Sequence, residues 1–182
     1  MGSKFFFKTA EDFYILGLWL ADGYWRTSSI GLTSVDQRLV NRFTNFLLKV
    51  APSHPVKERI YLADGKSKRK QTAVQVYINS RSLTRVFLTF KTGDLNVPRH
   101  YLVAYLAGRI DGDGHIDTKH RTGIRIAYSS REDARRDQLL FGEANVSLYQ
   151  YQAARTFVLY LKKSYREQVL SKLKKYSVKL AP

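Results

Sequence analysis

The stretch FYILGLWLADG at Phe13–Gly23 returns 91 residues later as AYLAGRIDGDG at Ala104–Gly114. Small residues and the Asp-Gly ending keep their places in both copies, and the spacing is half the chain length of 182 residues. The aligned pairs are Gly17 with Gly108, Ala21 with Gly112, Asp22 with Asp113 and Gly23 with Gly114. A repeat at this spacing predicts two similar halves, each headed by one copy of the segment.

The segments that follow the two copies are predicted to fold in the same order. In the first half, the residue pattern indicates strands at Tyr24–Thr33, a helix begun by a Ser34–Gln37 capping box, strands Val56–Leu62 and Ala73–Asn79, and a helix over Ser80–Phe90. In the second half, it indicates strands His115–Arg121 and Gly123–Ser129, a helix from Arg131 capped by Ser130, strands Val146–Ala153 and Thr156–Leu161, and a final helix. We therefore predict an α+β fold of two pseudo-symmetric α-β-β-α-β-β-α halves, residues 1–95 and 96–182.

The charge balance points to a polyanionic partner. Thirty-one Lys and Arg against 15 Asp and Glu give a net charge of +16 and a pI near 10.1. Nucleic acid is the first expectation for such a charge, and a membrane surface is a weaker alternative. The sequence shows neither an apolar run near the ~20 residues of a membrane span nor a signal-peptide pattern, so we expect an intracellular protein. The absence of cysteine excludes disulfides, thiolate zinc sites and cysteine nucleophiles.

The two repeated segments are predicted to be helices that pack on each other. From Phe13 to Ala21 the first segment has no polar face, so a helix there must be buried on every side. Small residues spaced four apart let two helix backbones approach closely. The predicted interface residues are Gly17, Ala21, Gly108 and Gly112.

This packing would place Asp22 and Asp113 together at the C-terminal ends of two parallel helices. Helix dipoles disfavour negative charge there, and two neighbouring carboxylates repel each other unless a cation lies between them. Oxygen ligands of this kind indicate Mg²⁺ in a cell. The alternative, that each aspartate only ends a helix before a glycine, is disfavoured because two of them occur in register within matched apolar helices.

Both segments resemble the motif that names the LAGLIDADG homing endonucleases. The second copy, LAGRIDGDG at Leu106–Gly114, is close to the motif, and the first, ILGLWLADG at Ile15–Gly23, has Trp19 and Leu20 in its middle. Two motifs in one chain are similar to the monomeric branch of that family, and the fold that this resemblance implies covers nearly the whole sequence, with antiparallel saddle-shaped sheets and the motif helices at the interface.

The resemblance implies a site-specific, intron-encoded endonuclease that cuts both strands of a long double-stranded DNA target with metal-activated water. It makes Asp22 and Asp113 the acidic ligands of Mg²⁺, with the adjacent Ala21 and Gly112. Family members also carry a basic residue near each active site, and the matching positions here are Arg81 and Lys163. The alternative for these two is a solvated cation at the start of a helix.

The strands offer candidate residues for DNA binding. A strand exposes alternate side chains on opposite faces, and polar-faced ribbons fit the major groove. The candidates on such faces are Lys57, Arg59, Tyr61, Gln75, Tyr77, Asn79, His115 and Arg125. A basic loop with Lys66, Lys68, Arg69 and Lys70 is expected to contact phosphates. The alternative is an ordinary solvated sheet face.

Other motifs and functions are weaker. The run DGDGHID at Asp111–Asp117 lacks the glycine and glutamate that a calcium loop requires, and the Gly65-Lys66-Ser67 segment lacks the first glycine of a P-loop. A metal cluster of His115, Asp117 and His120 is disfavoured because a strand would turn His120 to the opposite face.

An RNA-splicing maturase that binds intron RNA, or a non-cleaving DNA-binding regulator, remains an alternative function. Both aspartates favour the nuclease, since a pure binder gains nothing from two carboxylates that repel each other.

Overall fold

The predicted element order is confirmed in the computed structural model, which describes residues 6–63, 71–93, 95–117 and 123–181. The first half contains α1 (Ala10–Asp22), β1 (Gly23–Arg26), β2 (Ser29–Ser34), α2 (Gln37–Val50), β3 (Lys57–Ala63), β4 (Gln71–Asn79) and α3 (Arg81–Thr92). After a short 3₁₀ helix, the second half contains α4 (Leu102–Asp113), β5 (Gly114–Asp117), β6 (Gly123–Tyr128), α5 (Arg131–Phe141), β7 (Val146–Tyr151), β8 (Thr156–Leu161) and α6 (Lys163–Tyr176).

The two antiparallel sheets share one topology. Their strand orders are β1-β2-β4-β3 and β5-β6-β8-β7, so corresponding strands occupy corresponding places. In each sheet a hairpin lies at one edge and its second strand pairs with the last strand of the half. The α+β class and the internal repeat predicted from the sequence are therefore both present.

Helix starts follow local hydrogen bonding, and one of them corrects the sequence analysis. The Ser80 and Ser130 hydroxyls accept hydrogen bonds from the backbone N–H groups of α3 and α5, as predicted for Ser130. The predicted Ser34–Gln37 capping box is wrong, because Asp36 caps α2 by accepting from the Arg38 N–H at 2.9 Å. Ser34 instead accepts from the Asp36 N–H at 3.1 Å, so it stabilises the turn before the helix.

The chain forms two compact units, and α1 belongs to the second. The first unit comprises Met1–Lys8 with Asp22–Asp94, and the second comprises Thr9–Ala21 with Leu95–Pro182. The predicted division at residue 95 falls at the junction after α3, whereas the first motif helix joins the later unit. Within the described ranges, no helix is long and apolar enough to cross a membrane.

The core of the first unit lies between its sheet and two helices. The amphipathic stripe of α2 is buried against β2 and β4, and Phe87 of α3 meets Phe46 edge to face. Ile60 alternates with Arg59 and Tyr61 along β3 and so lies on the opposite, apolar face of the strand, yet it is 68% exposed. Because β3 is an edge strand and α2 packs on β2 and β4, the side chain of Ile60 extends beyond this cover.

In the second unit, α1 is buried along most of its length and crosses α4 at close range. Residues Asp12–Trp19 are all buried. A Cβ atom on Gly17 would collide with the Tyr105 carbonyl oxygen, and one on Gly108 would collide with the Tyr14 carbonyl oxygen. Tyr14 and Tyr105 are also 91 residues apart, so the contact is reciprocal and uses the same positions of both motif copies.

Gly17→Ala or Gly108→Ala is expected to lower the free energy of unfolding by about 1–3 kcal/mol, because the new methyl group must push the two backbones apart. The loss should appear although alanine favours helix over glycine by about 1 kcal/mol. Urea unfolding followed by circular dichroism measures it. Gly123→Ala is the control, since none of the residues that the structure describes has an atom within 4 Å of a Cβ built there. Equal losses at all three glycines would contradict a steric origin.

Candidate functional site

The two motif aspartates occupy equivalent positions at helix ends. Asp22 is the last residue of α1 and is half-buried, while Asp113 is the last residue of α4 and is exposed. Each lies five residues beyond the glycine at which its helix meets the other. The last carbonyl oxygens of a helix have no partner within the helix and point outward, so each carboxylate lies near main-chain oxygens.

Such oxygens fit a hard divalent cation. Within the described part of the chain, no group of three or more His, Asp or Glu side chains could hold a metal ion. Mg²⁺ is commonly bound by one or two carboxylates, and waters and substrate phosphate oxygens complete its shell. That Asp22 and Asp113 bind such an ion stays a prediction.

The two predicted main-chain ligands differ in their surroundings. Ala21 is half-buried near the end of α1. The Gly112 carbonyl accepts a hydrogen bond from the Lys179 ammonium at 3.0 Å. The Gly112 carbonyl is thus already bound to a cationic group of the chain itself.

The predicted basic residues lie at matching helix starts. Arg81 is the first residue of α3, Lys163 is the first residue of α6, and both are exposed. Their role in catalysis stays a prediction.

The first sheet has one polar face, as the alternation predicted. Cross-strand pairs join Lys57 with Tyr77 and Arg59 with Gln75, which places these side chains on one face. Lys57, Arg59 and Asn79 are exposed, and Tyr61 is 42% exposed. This face therefore offers cationic and amide groups to a ligand.

Gln75 and Tyr77 lie on that face but are covered, which corrects their prediction as outward readers. Gln75 is 5% exposed because its amide donates to the Thr33 hydroxyl at 3.0 Å and accepts from the Tyr61 hydroxyl at 3.2 Å. Tyr77 is 8% exposed, and the Arg59 guanidinium lies 5.0 Å from its ring centre. Gln75 therefore contacts Tyr61, and Tyr77 contacts Arg59, instead of facing solvent.

The predicted phosphate-binding residues Lys66, Lys68, Arg69 and Lys70 lie outside the described residues, as does His120.

The second sheet repeats the polar face with a richer set of aromatic rings. Arg125 pairs with His115 on one side and with Tyr160 on the other, and Tyr160 pairs with Ser147. Arg125 and His115 are exposed. Since α5 packs against the opposite face through buried Asp137, this row of side chains faces away from the core.

A tyrosine pocket on this face was missed by the sequence analysis. Ser147, Tyr149, Tyr151, Tyr160 and Lys162 line a cavity of about 400 Å³. The Tyr151 and Tyr160 hydroxyls are 2.7 Å apart, and this hydrogen bond, with Arg125 nearby, lowers the pKa of Tyr160 while the pKa of Tyr151 is raised. The alternation of β7 and β8 was the signal that could have found these residues.

A buried ionic cluster holds α4 against α5. Asp137, 1% exposed, accepts hydrogen bonds from the Tyr105 hydroxyl at 2.7 Å, the Arg109 Nε at 2.9 Å and the Tyr128 hydroxyl at 2.7 Å. Burial raises the pKa of both tyrosines well above the usual range. Although burial opposes its charge, Tyr128 and Asp137 raise the pKa of Arg109. The cluster fixes the helix that carries Asp113.

Residues 10–90 match the LAGLIDADG-like domain family. The structure is similar to that of the homing endonuclease I-DmoI in complex with DNA and Mn, with a TM-score of 0.67, 14% identity, and coverage of 90% of this chain and 96% of that one. The chain has the LAGLIDADG homing endonuclease fold. The resemblance that the two motifs predicted is thereby confirmed. Other I-DmoI structures contain DNA with Ca or Mg.

The LAGLIDADG fold also occurs in other proteins. The N-terminal LAGLIDADG domain of DUF199/WhiA has a TM-score of 0.60 and 17% identity, over 94% of this chain and 84% of that domain. An A-type ATP synthase subunit of Methanopyrus kandleri is 31% identical over 141 residues, which are 75% of this chain but only 13% of that protein. The chain thus matches a small part of a much longer relative.

Proposed function

We propose that this protein is a monomeric, site-specific DNA endonuclease that hydrolyses one phosphodiester bond in each strand of a double-stranded target and depends on Mg²⁺. The observation that carries the proposal is the pair of aspartates that end two helices crossing at equivalent glycines. The fold of I-DmoI, which has been determined in complex with DNA and divalent cations, supports it.

The chemistry follows from the oxygen ligands. A divalent cation held by Asp22 and Asp113 would supply Lewis-acid stabilisation of the scissile phosphate and an activated water. The two carboxylates would hold the cation at the helix ends. The hydrogen bonds of Tyr105 and Arg109 to Asp137 hold α4 in place. Hydrolysis of this kind needs no protein nucleophile.

The two polar sheet faces would bind the DNA. Lys57, Arg59 and Arg125 are exposed there and carry charge for phosphates or for guanine edges. The tyrosine pocket adds apolar surface to the second face.

Arg125→Gln is expected to weaken binding of the target DNA by about ten-fold, because the arginine stands in the centre of the second polar face. If Arg125 contacts a phosphate, the substitution should reduce the slope of log K against log[salt] by about one unit for every DNA sequence. If Arg125 contacts a base, the substitution should weaken binding mainly to the cognate site. Fluorescence anisotropy at several salt concentrations separates the two.

The matched control is Arg131→Gln. Arg131 is also exposed, but it begins α5, which packs on the other face of the sheet. Equal weakening by both substitutions would show that net charge alone, and not this face, governs binding.

The experiment that tests the proposal is sequencing of DNA ends after incubation with a randomised target library, with Mg²⁺ or with EDTA. Mg²⁺-dependent double-strand breaks at one long site are expected. Sequence-specific binding without any breaks would favour the non-cleaving alternative, which the occurrence of this fold in DUF199/WhiA keeps open.

An intron-encoded origin and a maturase activity on intron RNA are also proposals. The match within the much longer Methanopyrus kandleri protein indicates that a related segment occurs inside a larger polypeptide. Competition between the DNA target and structured RNA for binding would reveal whether RNA shares the polar faces.

A further inference from the structure

The C-terminal end of α4 carries a cation that belongs to the chain. The Lys179 ammonium donates to the carbonyl oxygens of Ile110 at 3.2 Å, Gly112 at 3.0 Å and Gly114 at 3.1 Å. An ammonium has three protons, so these three bonds use all of them. Gly112 and Gly114 flank Asp113 in the sequence, which puts the charge beside the second motif aspartate.

The residues before Lys179 are fixed to the same helix by a buried carboxylate. Asp111, 1% exposed, accepts hydrogen bonds from the Ser177 hydroxyl at 2.6 Å and from the Val178 and Lys179 N–H groups at 2.6 and 3.1 Å. The Tyr14 hydroxyl of α1 donates to the same carboxylate at 2.7 Å. The backbone of Lys179 is therefore held in place before any ion arrives, and little side-chain freedom remains to be lost.

This arrangement has no counterpart in the sequence of the first half. The position equivalent to Asp111 in the first motif is Leu20, and the residues that follow α3 are Gly93, Asp94 and Leu95, none of them a cation. The two motifs are thus alike in their aspartates and glycines, but only the second has an aspartate that binds a lysine-containing segment to the end of its helix.

A fixed ammonium changes what a divalent cation meets at this end. It takes up one direction of approach to the Gly112 carbonyl oxygen, and its positive charge repels a second cation bound to Asp113. It also neutralises the negative end of the helix dipole, which would otherwise attract that cation.

We propose that Lys179 is a positioning residue that acts as a built-in cation, lowering the affinity of Asp113 and the Gly112 carbonyl for divalent metal. The inference rests on the proposed function for its biological meaning. In a nuclease, a metal ion bound weakly at the second motif would need phosphate oxygens of the DNA as additional ligands. The inference requires only metal binding for its test.

The test is a Mn²⁺ titration of the full chain without DNA, followed by electron paramagnetic resonance of the free ion. Lys179→Met is expected to bind Mn²⁺ about five-fold more tightly than the wild type, because the repulsion across a few ångströms of partly solvated space is lost. Lys179→Gln, which keeps two N–H donors but carries no charge, should show the same tightening even if Lys179→Met folds poorly. Lys179→Arg, which keeps the positive charge, should bind Mn²⁺ with the wild-type affinity.

Two controls assign the effect. Lys174→Met removes an exposed lysine in the last turn of α6 and should leave the titration unchanged. Adding Asp113→Asn to Lys179→Gln should abolish the tightening. The inference is overturned if the Lys179→Gln titration superimposes on that of the wild type, if it is weaker, or if the tightening survives Asp113→Asn.

The outcome is separable from that of the proposed function. Tighter Mn²⁺ binding in Lys179→Gln together with no DNA cleavage would retain the inference and reject the nuclease. Specific cleavage by the wild type together with unchanged Mn²⁺ binding in Lys179→Gln would do the reverse.

Discussion

Asp22→Asn and Asp113→Asn are each expected to lower the rate of double-strand cleavage by about 10²–10³-fold, because an amide cannot supply the charge that holds a cation against the scissile phosphate. Each substitution keeps the size and shape of the side chain, so the fold should persist. Single-turnover assays on a plasmid with one target site measure the loss. They also separate nicked from linear product, and thus show whether each aspartate serves one strand or both.

DNA binding provides the internal comparison for these variants. Removing a carboxylate from a protein of net charge +16 should leave affinity for the target equal or higher in the absence of divalent metal. Glu132→Gln removes an exposed carboxylate from α5, at a site remote from the motifs in sequence, and should cleave at the wild-type rate. Full activity in either motif variant would reject the aspartates as metal ligands.

Asp137→Ala is expected to lower the free energy of unfolding by about 3–5 kcal/mol, the range found when one partner of a buried ion pair is removed. The substitution would leave the Arg109 guanidinium, 4% exposed, buried without its carboxylate, and would leave the Tyr105 and Tyr128 hydroxyls without their common acceptor. Urea unfolding measures the loss.

Two further variants distinguish the buried charge from a general loss of packing. Replacing the pair together, as Arg109→Met with Asp137→Leu, should cost less than Asp137→Ala, because no charge remains buried. Asp133→Ala, which removes a partly exposed ion pair with Arg136, should cost about 0–1 kcal/mol. A loss below 1 kcal/mol in Asp137→Ala would contradict the importance of the cluster.

The same cluster predicts the pH dependence of stability. Because the folded-state pKa of Tyr105 and Tyr128 is raised above the usual value of 10.0, their contribution is fully present below pH 10. Above that pH the unfolded chain loses the two protons while the folded chain keeps them, so the unfolding free energy falls as pH rises. Chemical unfolding between pH 9 and about 11 should show this decline, and Tyr128→Phe should reduce it.

Patterns local in sequence predicted most of the fold. Alternation along β4 and β6 predicted these strands and their faces, and the cap residue Ser130 predicted the start of α5. Small residues four apart in each motif copy predicted the close helix contact that the structure shows at Gly17 and Gly108, because close approach depends only on the absence of a side chain.

Features that depend on distant partners could not be predicted in this way. Whether Gln75 is covered is decided by Thr33 and Tyr61, which lie 42 and 14 residues away. No local pattern assigns a partner to Asp111, and only the fold brings Ser177 and Lys179 to it. The asymmetry between the two motifs therefore became visible only in three dimensions.

The membership of α1 in the second unit affects how the chain is made. The ribosome completes α1 at Asp22, but its partner α4 begins only at Leu102. At about 5–20 residues per second, an apolar helix must wait roughly 5–20 seconds for the surface that covers it. During that interval it is a natural substrate for chaperones. Fragments cut at the middle of the sequence would leave it exposed permanently, so a chimaera that exchanges units should carry α1 together with residues 95–182.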